Sequence, residues 1–265
     1  MAAVLRCLTV SIVFVIGCSR AGDPDSISTS AEPSETDSGG VWLRPARATN
    51  AEPVWGVKGG LAVGLYPTSG PRGLIRVYAP YLGQKPGRMV NFIAIEPVVN
   101  GVRGQSELEV GLQSKQAGLE MWTGDTLADV AAPRQPPVFT PGRIESIDGT
   151  KVLPFYLATE PFRNGAKPIL QVILRADHPH EVGLRVHAAR DSAPMNSCVL
   201  SATMGNYGRL RRLWLSGEVV DAKKLWPTFE PDGLGFAPWR AWDRARLFKR
   251  NADVLVAATS DEADL

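Results

Sequence analysis

Alternation of apolar and polar residues is clearest in the second half of the chain, where it predicts three β-strands. In the strand predicted over 180–188, the even positions are apolar and the odd positions Glu181, Arg185 and His187 are polar. A period of two residues is typical of a strand with one buried face. The same alternation predicts two further strands, over 169–176 and 197–204.

Short links between these three strands favour antiparallel neighbours in a single sheet. In that arrangement the polar positions share one sheet face, and the apolar positions face the core. The residues predicted on the polar face are Gln171, Arg175, Arg185, His187, Ser201 and Thr203.

Short strands separated by Gly- and Pro-containing turns also fill the preceding part of the chain. The apolar run from Met89 to Val98 predicts a central strand, and Asp148-Gly149 predicts a two-residue hairpin turn. A further strand is predicted over 106–112. About a dozen short strands without alternating helices indicate an all-β fold, an antiparallel β-sandwich or jelly roll.

The pattern changes after Thr203, where glycine, aromatic residues and arginine are mixed. A short C-terminal helix over 237–250, or an irregular segment, is predicted there. A last strand over 254–259 closes the fold.

The N-terminus has the order of an export signal. An apolar run over 8–16, too short to span a bilayer as a helix, follows a basic residue and precedes a small residue and Cys18. This order resembles the lipobox signal peptide of bacterial lipoproteins. The resemblance implies removal of residues 1–17, acylation of Cys18 and anchoring in the cell envelope, and Ser19 favours the outer membrane.

The remaining chain divides into two predicted regions. Residues 18–53 are rich in small, polar and acidic residues, so they are predicted to form a disordered tether that carries the lipidated cysteine. Trp42 and Leu43 are candidates for an outlying strand within it. The β-sandwich domain is predicted over 54–265.

Charge and cysteine content narrow the choice of partners. The net charge of +2 argues against binding to nucleic acid by bulk electrostatics. Cys7 lies in the signal and Cys18 would be lipidated, so Cys198 has no intramolecular disulfide partner. Cys198 lies on the apolar side of its strand and is expected to be buried.

Linear motifs for catalysis, cofactors or metals are absent, and no cofactor or metal is predicted. The histidines near the strand at 180–188 are expected to be exposed imidazoles and not metal ligands. Glu107 and Glu109 lie two residues apart on a predicted strand. They form either a solvated face or a carboxylate pair of the glycosidase type.

One constellation combines the residue types needed to cleave a uronate by β-elimination. That reaction needs a cation or amide on the carboxylate, a base and an acid, and jelly-roll polysaccharide lyases, which these residue types resemble, use Arg, His and Tyr. The candidates for ligand binding or catalysis are Arg185, His187, Asn206, Tyr207, Arg209, Arg175 and Gln171. The alternative is structural, with Arg185 paired to a neighbouring carboxylate.

Tryptophans in irregular or terminal segments offer aromatic faces for sugar rings, although core anchoring is the alternative. The candidates for sugar stacking are Trp214, Trp226, Trp239 and Trp242.

Together these features favour an envelope-anchored lipoprotein whose β-sandwich is a non-catalytic module for carbohydrate binding or structure. The expected partners are the membrane, through the lipid, and a glycan or envelope protein. A polysaccharide lyase or glycoside hydrolase acting on the polar face is one alternative. A partner subunit that uses an exposed apolar patch is another.

Overall fold

The structure is a computed structural model that describes the greater part of the chain. The described residues are 9–14, 40–66, 72–79, 88–132, 137–202, 210–225, 227, 242–251 and 253–260. The strands are β1 (Thr9–Phe14), β2 (Trp42–Leu43), β3 (Val54–Val57), β4 (Ala62–Gly64), β5 (Leu74–Ala79), β6 (Arg88–Val99), β7 (Val102–Arg103), β8 (Met121–Gly124), β9 (Glu145–Ile147), β10 (Thr150–Thr159), β11 (Pro168–Arg175), β12 (His178–Ala188), β13 (Ser197–Ala202), β14 (Leu210–Leu215), β15 (Glu218–Asp221), β16 (Phe248–Arg250) and β17 (Asp253–Ser260).

These strands form two sheets. Sheet A has the order β15–β14–β17–β1–β12–β11–β10–β8, with β16 paired to β17 and β9 paired to β10. Sheet B has the order β13–β6–β5–β4–β3–β2, with β7 paired to β6. Among the described strands the pairing is antiparallel except between β1 and β17. The predicted all-β, antiparallel sandwich is confirmed.

The two sheets enclose one main core. Trp55 of sheet B stacks on Phe155 of sheet A, with ring centroids 4.5 Å apart and planes 25° apart. Leu170 and Val172 of β11 and Ile93 of β6 are buried in the same cluster. Full burial of such a side chain is worth about 1.5–3 kcal/mol, so the alternating apolar positions hold the sheets together.

Several predicted elements are confirmed. The strands over 169–176 and 180–188 correspond to β11 and β12, and the central apolar run corresponds to β6. At the predicted hairpin turn, Asp148 has φ 51° and Gly149 has φ 77°. Left-handed backbone at both central residues is the geometry that an Asp-Gly pair favours between β9 and β10.

The predicted three-strand meander is wrong at its third strand. β13 pairs with β6 in sheet B, with Ser201 opposite Ala94, so it is not a neighbour of β12. Ser201 is therefore separated from the polar face of β12, and Thr203 lies outside the described residues. The alternation of apolar and polar residues in β13 determines which face of the strand is buried, but it does not determine which sheet the strand joins. A strand with one apolar face can pair with the edge of either sheet of a sandwich.

The apolar side of β13 faces the core as predicted. Cys198 is a free thiol that packs against the main core cluster. Burial raises the pKa of Cys198 to about 12, so the thiol stays protonated at neutral pH.

The strand predicted over 106–112 is also wrong, because the segment forms turns. The Ser106 hydroxyl donates to the carbonyl of Gly73 and accepts from the backbone N–H of Ile95, the second bond being 2.9 Å long. The Glu160 carboxylate accepts the backbone N–H groups of Gln113 and Glu120, each at 2.9 Å. These tertiary bonds satisfy the backbone without a partner strand.

The C-terminal helix predicted over 237–250 is wrong from residue 242 onward, and residues 228–241 lie outside the described residues. Arg244–Arg246 form a single 3₁₀ turn, and β16 follows. β16 pairs with the start of β17, and Asn251 in the connecting turn has φ 57°. The segment before Asn251 thus forms one strand of a tight hairpin with β17 instead of the predicted helix.

The folded body begins earlier than residue 54. β2 pairs with β3, and Trp42 is only 1% exposed in the main core. The sandwich therefore includes Trp42 and Leu43, which lie within the predicted tether.

At the N-terminus, β1 lies within the apolar run of the predicted signal peptide. The residues on both sides of it, Cys18 among them, lie outside the described residues. No helix in the described part of the chain has the length and apolarity needed to cross a membrane.

Candidate functional site

The outward face of sheet A carries a polar cluster at the centre of β10, β11 and β12. Tyr156 lies opposite Gln171, and Gln171 lies opposite Arg185. His187 lies one register row away, opposite Ile169. Since neighbouring strands are about 4.8 Å apart, the row from Tyr156 to Arg185 is about 10 Å wide. Tyr156, Gln171, Arg185 and His187 are called the outer polar cluster below.

Sheet geometry explains why these side chains meet. The flanking positions of β10, β11 and β12 carry Phe155, Leu170, Val172 and Leu184, all of them buried in the main core. Because side chains alternate along a strand, the intervening positions must face outward. The predicted sharing of one face by Gln171, Arg185 and His187 is confirmed.

His187 is the most perturbed member of the cluster. Its ring centroid lies 6.0 Å from that of Tyr156, with 56° between the planes. Its Nε2 is shielded from solvent and has no hydrogen-bond partner among the described residues. Partial burial, and secondarily the charge of Arg185, lower the pKa of His187. The imidazole is therefore neutral at neutral pH, with an accepting or donating nitrogen unused.

The other members also retain hydrogen-bonding capacity. The Tyr156 hydroxyl and the Gln171 amide make no hydrogen bond to another residue that the structure describes. Arg185 presents a guanidinium with five N–H donors, enough to hold a ligand alongside a contact within the protein. All four side chains are half-buried, which is the exposure expected of groups that a ligand can reach.

A small apolar cluster borders the polar one on the same face. It consists of Trp122, Val130, Ala158 and Ile169, and Tyr156 packs against it. The Trp122 indole N–H donates to the carbonyl of Val130 at 3.2 Å. This wall fixes the Tyr156 ring and reduces the access of water to one side of the cluster.

Arg175, a sequence candidate, does not join the cluster. Its guanidinium makes two hydrogen bonds to the Asp177 carboxylate, at 2.9 and 2.7 Å. The bond from Arg175 lowers the pKa of Asp177 to about 2. Arg175 lies on the outward face of β11 but four residues from Gln171, or about 13 Å along the strand.

Most of the remaining candidates cannot be placed at the cluster. Those outside the described residues are Asn206, Tyr207, Arg209, Trp226 and Trp239. Trp242 is half-buried, and the Arg246 guanidinium lies 4.8 Å from its ring centroid.

Trp214 is the more exposed of the two tryptophan candidates that the structure describes. It lies on β14, at the far side of sheet A, and its side chain is 40% exposed. Its indole N–H donates to Thr259 Oγ1 at 2.9 Å, which holds the ring in one orientation.

Glu107 and Glu109 do not form a catalytic pair on a strand, because their segment is a turn. Glu109 Oε2 accepts the backbone N–H of Arg163 at 2.7 Å. Burial raises the pKa of Glu107. Both carboxylates belong to the loop packing beside β6.

No group of three or more His, Cys, Asp or Glu side chains in the described part of the chain is arranged to hold a metal ion. At the start of β12, His178 Nε2 lies 3.8 Å from Asp177 Oδ2, and His178 Nδ1 lies 3.8 Å from Glu181 Oε1. These three side chains are neighbours, but they do not form such a group.

Tyr156 is the member that the sequence analysis missed. Tyr156 follows the predicted Asp148-Gly149 hairpin turn, but it lies among apolar residues on both sides. The sequence did contain one indication. Tyr156 lies between Phe155 and Leu157 on the strand, so its side chain faces the opposite way from both of them. The register between β10 and β11 places Tyr156 opposite Gln171, on the polar face of the sheet. This register is known only from the folded structure.

Comparisons with known proteins give no match to any family model, curated protein or solved structure. The function is therefore inferred from the geometry and chemistry of these side chains. The cavity found between the sheets near Tyr66, Arg72 and Phe139 has a volume of about 10 Å³. That space is no larger than one water molecule, which leaves the open face of sheet A as the better candidate.

Proposed function

We propose that the chain is an exported, envelope-anchored lipoprotein whose sandwich binds a uronate-bearing glycan at the outer polar cluster. The observation that carries the proposal is the row of Tyr156, Gln171 and Arg185 with His187 beside it, on the outward face of one sheet. Export and the lipid at Cys18 rest on the resemblance to the lipobox.

Each member of the cluster suits one part of an acidic sugar. The Arg185 guanidinium can donate hydrogen bonds to the carboxylate in a charge-assisted pair, and the Gln171 amide can both donate to and accept from ring hydroxyls. The Tyr156 ring, fixed by the apolar wall, offers a flat face to the sugar ring. A single local cation explains binding of a carboxylate by a protein whose net charge is only +2.

The test uses the purified full-length protein and three polyuronates: polygalacturonate, alginate and hyaluronan. Titration calorimetry measures the affinity for each polymer and for the same polymer with its carboxylates methyl-esterified. We expect binding to at least one acidic form and at least tenfold weaker binding to its ester. A hydrogen bond to a charged group is worth about 1.5–3 kcal/mol, so Arg185→Ala should also weaken binding at least tenfold.

Arg190→Ala is the matched control, because Arg190 is an exposed arginine beyond the end of β12. It should leave the affinity unchanged. Absence of binding to all three polymers, or equal affinity for acid and ester, would contradict the proposal.

A second candidate, a polysaccharide lyase, is favoured by the neutral His187 beside Tyr156. In β-elimination, the neutral His187 imidazole would take the proton from C5 of the uronate through Nδ1, its other ring nitrogen, while Arg185 neutralises the carboxylate. The electron pair forms the C4=C5 double bond, the C4–O bond breaks, and the Tyr156 hydroxyl protonates the leaving oxygen.

Ultraviolet absorbance of the unsaturated product separates the two candidates. Formation of this product by the wild type, and its loss in His187→Gln and Tyr156→Phe, would establish the lyase. Binding without any unsaturated product would leave the protein a binding module.

A further inference from the structure

The outward face of sheet A continues beyond β12 to a group of exposed apolar side chains. Trp214, Val219 and Phe248 are 40%, 45% and 39% exposed, respectively. Trp214 of β14 lies directly opposite Val219 of β15. Phe248 lies on β16, which pairs with the first residues of β17, whereas β14 pairs with the last residues of β17. These three side chains are called the aromatic strip below.

Register shows that the aromatic strip and the outer polar cluster lie on the same face. Trp214 pairs with Ala257, Ala257 pairs with position 13 of β1, and position 13 pairs with Glu181. Glu181 and Arg185 are four residues apart on β12, so they face the same way.

A second link between the two regions does not involve β1, so it also holds for the proposed mature lipoprotein, from which removal of residues 1–17 would take β1. The Arg250 guanidinium of β16 forms an ion pair with Glu181 of β12, with one N–O distance of 3.1 Å. An ion pair between these strands requires that their outward faces adjoin. The strip and the cluster are therefore parts of one continuous surface.

The charges around the strip are compensated by ion pairs. Arg212 lies 3.8 Å from Asp221, and Arg246 pairs with Glu218. The strip is thus an apolar platform beside two paired arginines. Its tryptophan is held by the hydrogen bond to Thr259, so stacking costs little side-chain entropy.

We propose that the aromatic strip is a second subsite for the same glycan, so that the ligand is an extended polyuronate chain. The proposal rests on the function proposed above. One uronate occupies the outer polar cluster, and a later sugar of the chain lays its apolar face on Trp214. In the full-length chain, Trp214 lies three strand spacings, about 14 Å, across the sheet from Glu181, and Arg185 lies four residues, about 13 Å, farther along β12. The two subsites are therefore about 19 Å apart. A single sugar cannot reach both.

Chain length provides the test. Size-fractionated oligomers, from dimer to octamer, of whichever polyuronate binds are titrated into the full-length protein. We expect wild-type affinity to rise about tenfold between the length that fills the cluster and the length that reaches the strip. Trp214→Ala should remove this rise and leave dimer binding unchanged, whereas Arg185→Ala should weaken binding at every length.

Leu112→Ala is the control, because Leu112 is 56% exposed and lies in the loop between β7 and β8, outside the strands of sheet A. It should retain the full length dependence. Circular dichroism at the titration temperature confirms that each variant is folded.

Three results would overturn the second subsite. The first is an affinity independent of chain length, and the second is a Trp214→Ala variant that behaves as wild type at every length. The third is loss of binding to phosphatidylglycerol vesicles in Trp214→Ala with unchanged glycan affinity, which would assign the strip to a lipid surface. Failure of the proposed function gives a different result, namely no binding of any polyuronate at any length.

Discussion

The outward faces of the two sheets carry similar polar residues in opposite states. On sheet B, Glu96 is 3% exposed; the Ser201 hydroxyl donates to it at 2.7 Å, and the Arg103 guanidinium also pairs with it. On sheet A, the Tyr156 hydroxyl and the Gln171 amide are half-buried and have no hydrogen-bond partner among the described residues.

Aromatic and cationic groups show the same contrast. On sheet B, Arg76 is 4% exposed, and its guanidinium lies 3.6 Å from the Tyr66 ring centroid. The Tyr78 hydroxyl donates to the Tyr66 hydroxyl at 3.2 Å. Burial, and secondarily that bond, raise the pKa of Tyr78. The Arg76 guanidinium and the Tyr78 hydroxyl are thus both in contact with Tyr66 within the protein, although Arg76 Nη1 makes no hydrogen bond to a described residue.

Residue type alone therefore does not distinguish a binding face from a structural one. Tyrosine and a polar acceptor occur on both faces, and the difference is whether the hydrogen bonds of the tyrosine hydroxyl and of the acceptor are already made. Removing a polar group from sheet B should therefore cost stability, and removing one from sheet A should cost binding.

The largest expected effect is that of Glu96→Ala on sheet B. Breaking a fully buried ion pair costs about 3–5 kcal/mol, but the Arg103 side chain is 48% exposed and can regain water. We therefore expect the free energy of unfolding to fall by about 2 kcal/mol, measured by urea denaturation at pH 7.

Glu96→Gln is the matched control, because it retains an acceptor for Ser201 and removes only the charge. Its loss of stability should be smaller than that of Glu96→Ala. Unchanged stability in Glu96→Ala would contradict the contrast between the two faces.

Much of the fold could be predicted from the sequence because alternation specifies buried faces. β11 and β12 follow from their own pattern, and the β9–β10 hairpin follows from its Asp-Gly turn. The partner of β13 could not be predicted, because its alternation is satisfied by the edge of either sheet. The turns over 106–112 depend on contacts with Gly73 and Glu160, which are distant in sequence.

The candidate site was predictable to the same extent. Gln171, Arg185 and His187 lie on two strands joined by a short link, so parity alone places them together. Tyr156 joins them only through the register between β10 and β11. Arg175 has the correct parity but a local partner, Asp177, and parity carries no information about such pairs.

A matched pair of tyrosine substitutions gives the next largest effect. Tyr78→Phe removes a buried hydroxyl that donates a hydrogen bond, so the free energy of unfolding should fall by about 1 kcal/mol. Tyr156→Phe removes a hydroxyl without a partner, so the change should stay within about 0.5 kcal/mol. Thermal and urea denaturation of both variants measure the difference. Equal losses of stability would show that the Tyr156 hydroxyl has a structural role, which would contradict the proposed difference between the faces of sheets A and B.

The smallest effect expected is a pH dependence that comes from His187. Burial and the Arg185 charge lower its pKa in the folded protein, whereas in the unfolded chain the pKa is about 6.5. As the pH falls below that value, the unfolded state takes up a proton first, so the wild type loses stability. The loss is complete once the pH is below the folded pKa. Because His187 is half-exposed, it should stay within about 0.5 kcal/mol.

His187→Gln isolates this contribution, because glutamine preserves hydrogen bonding and does not titrate. The difference in unfolding free energy between wild type and His187→Gln, measured from pH 7.5 to 5, should shift in favour of the variant as the pH falls. A bound uronate should reverse the sign, since its carboxylate favours the imidazolium, and wild-type affinity should then rise over the same range. A difference that is constant with pH, with and without glycan, would show that His187 senses neither its burial nor a ligand.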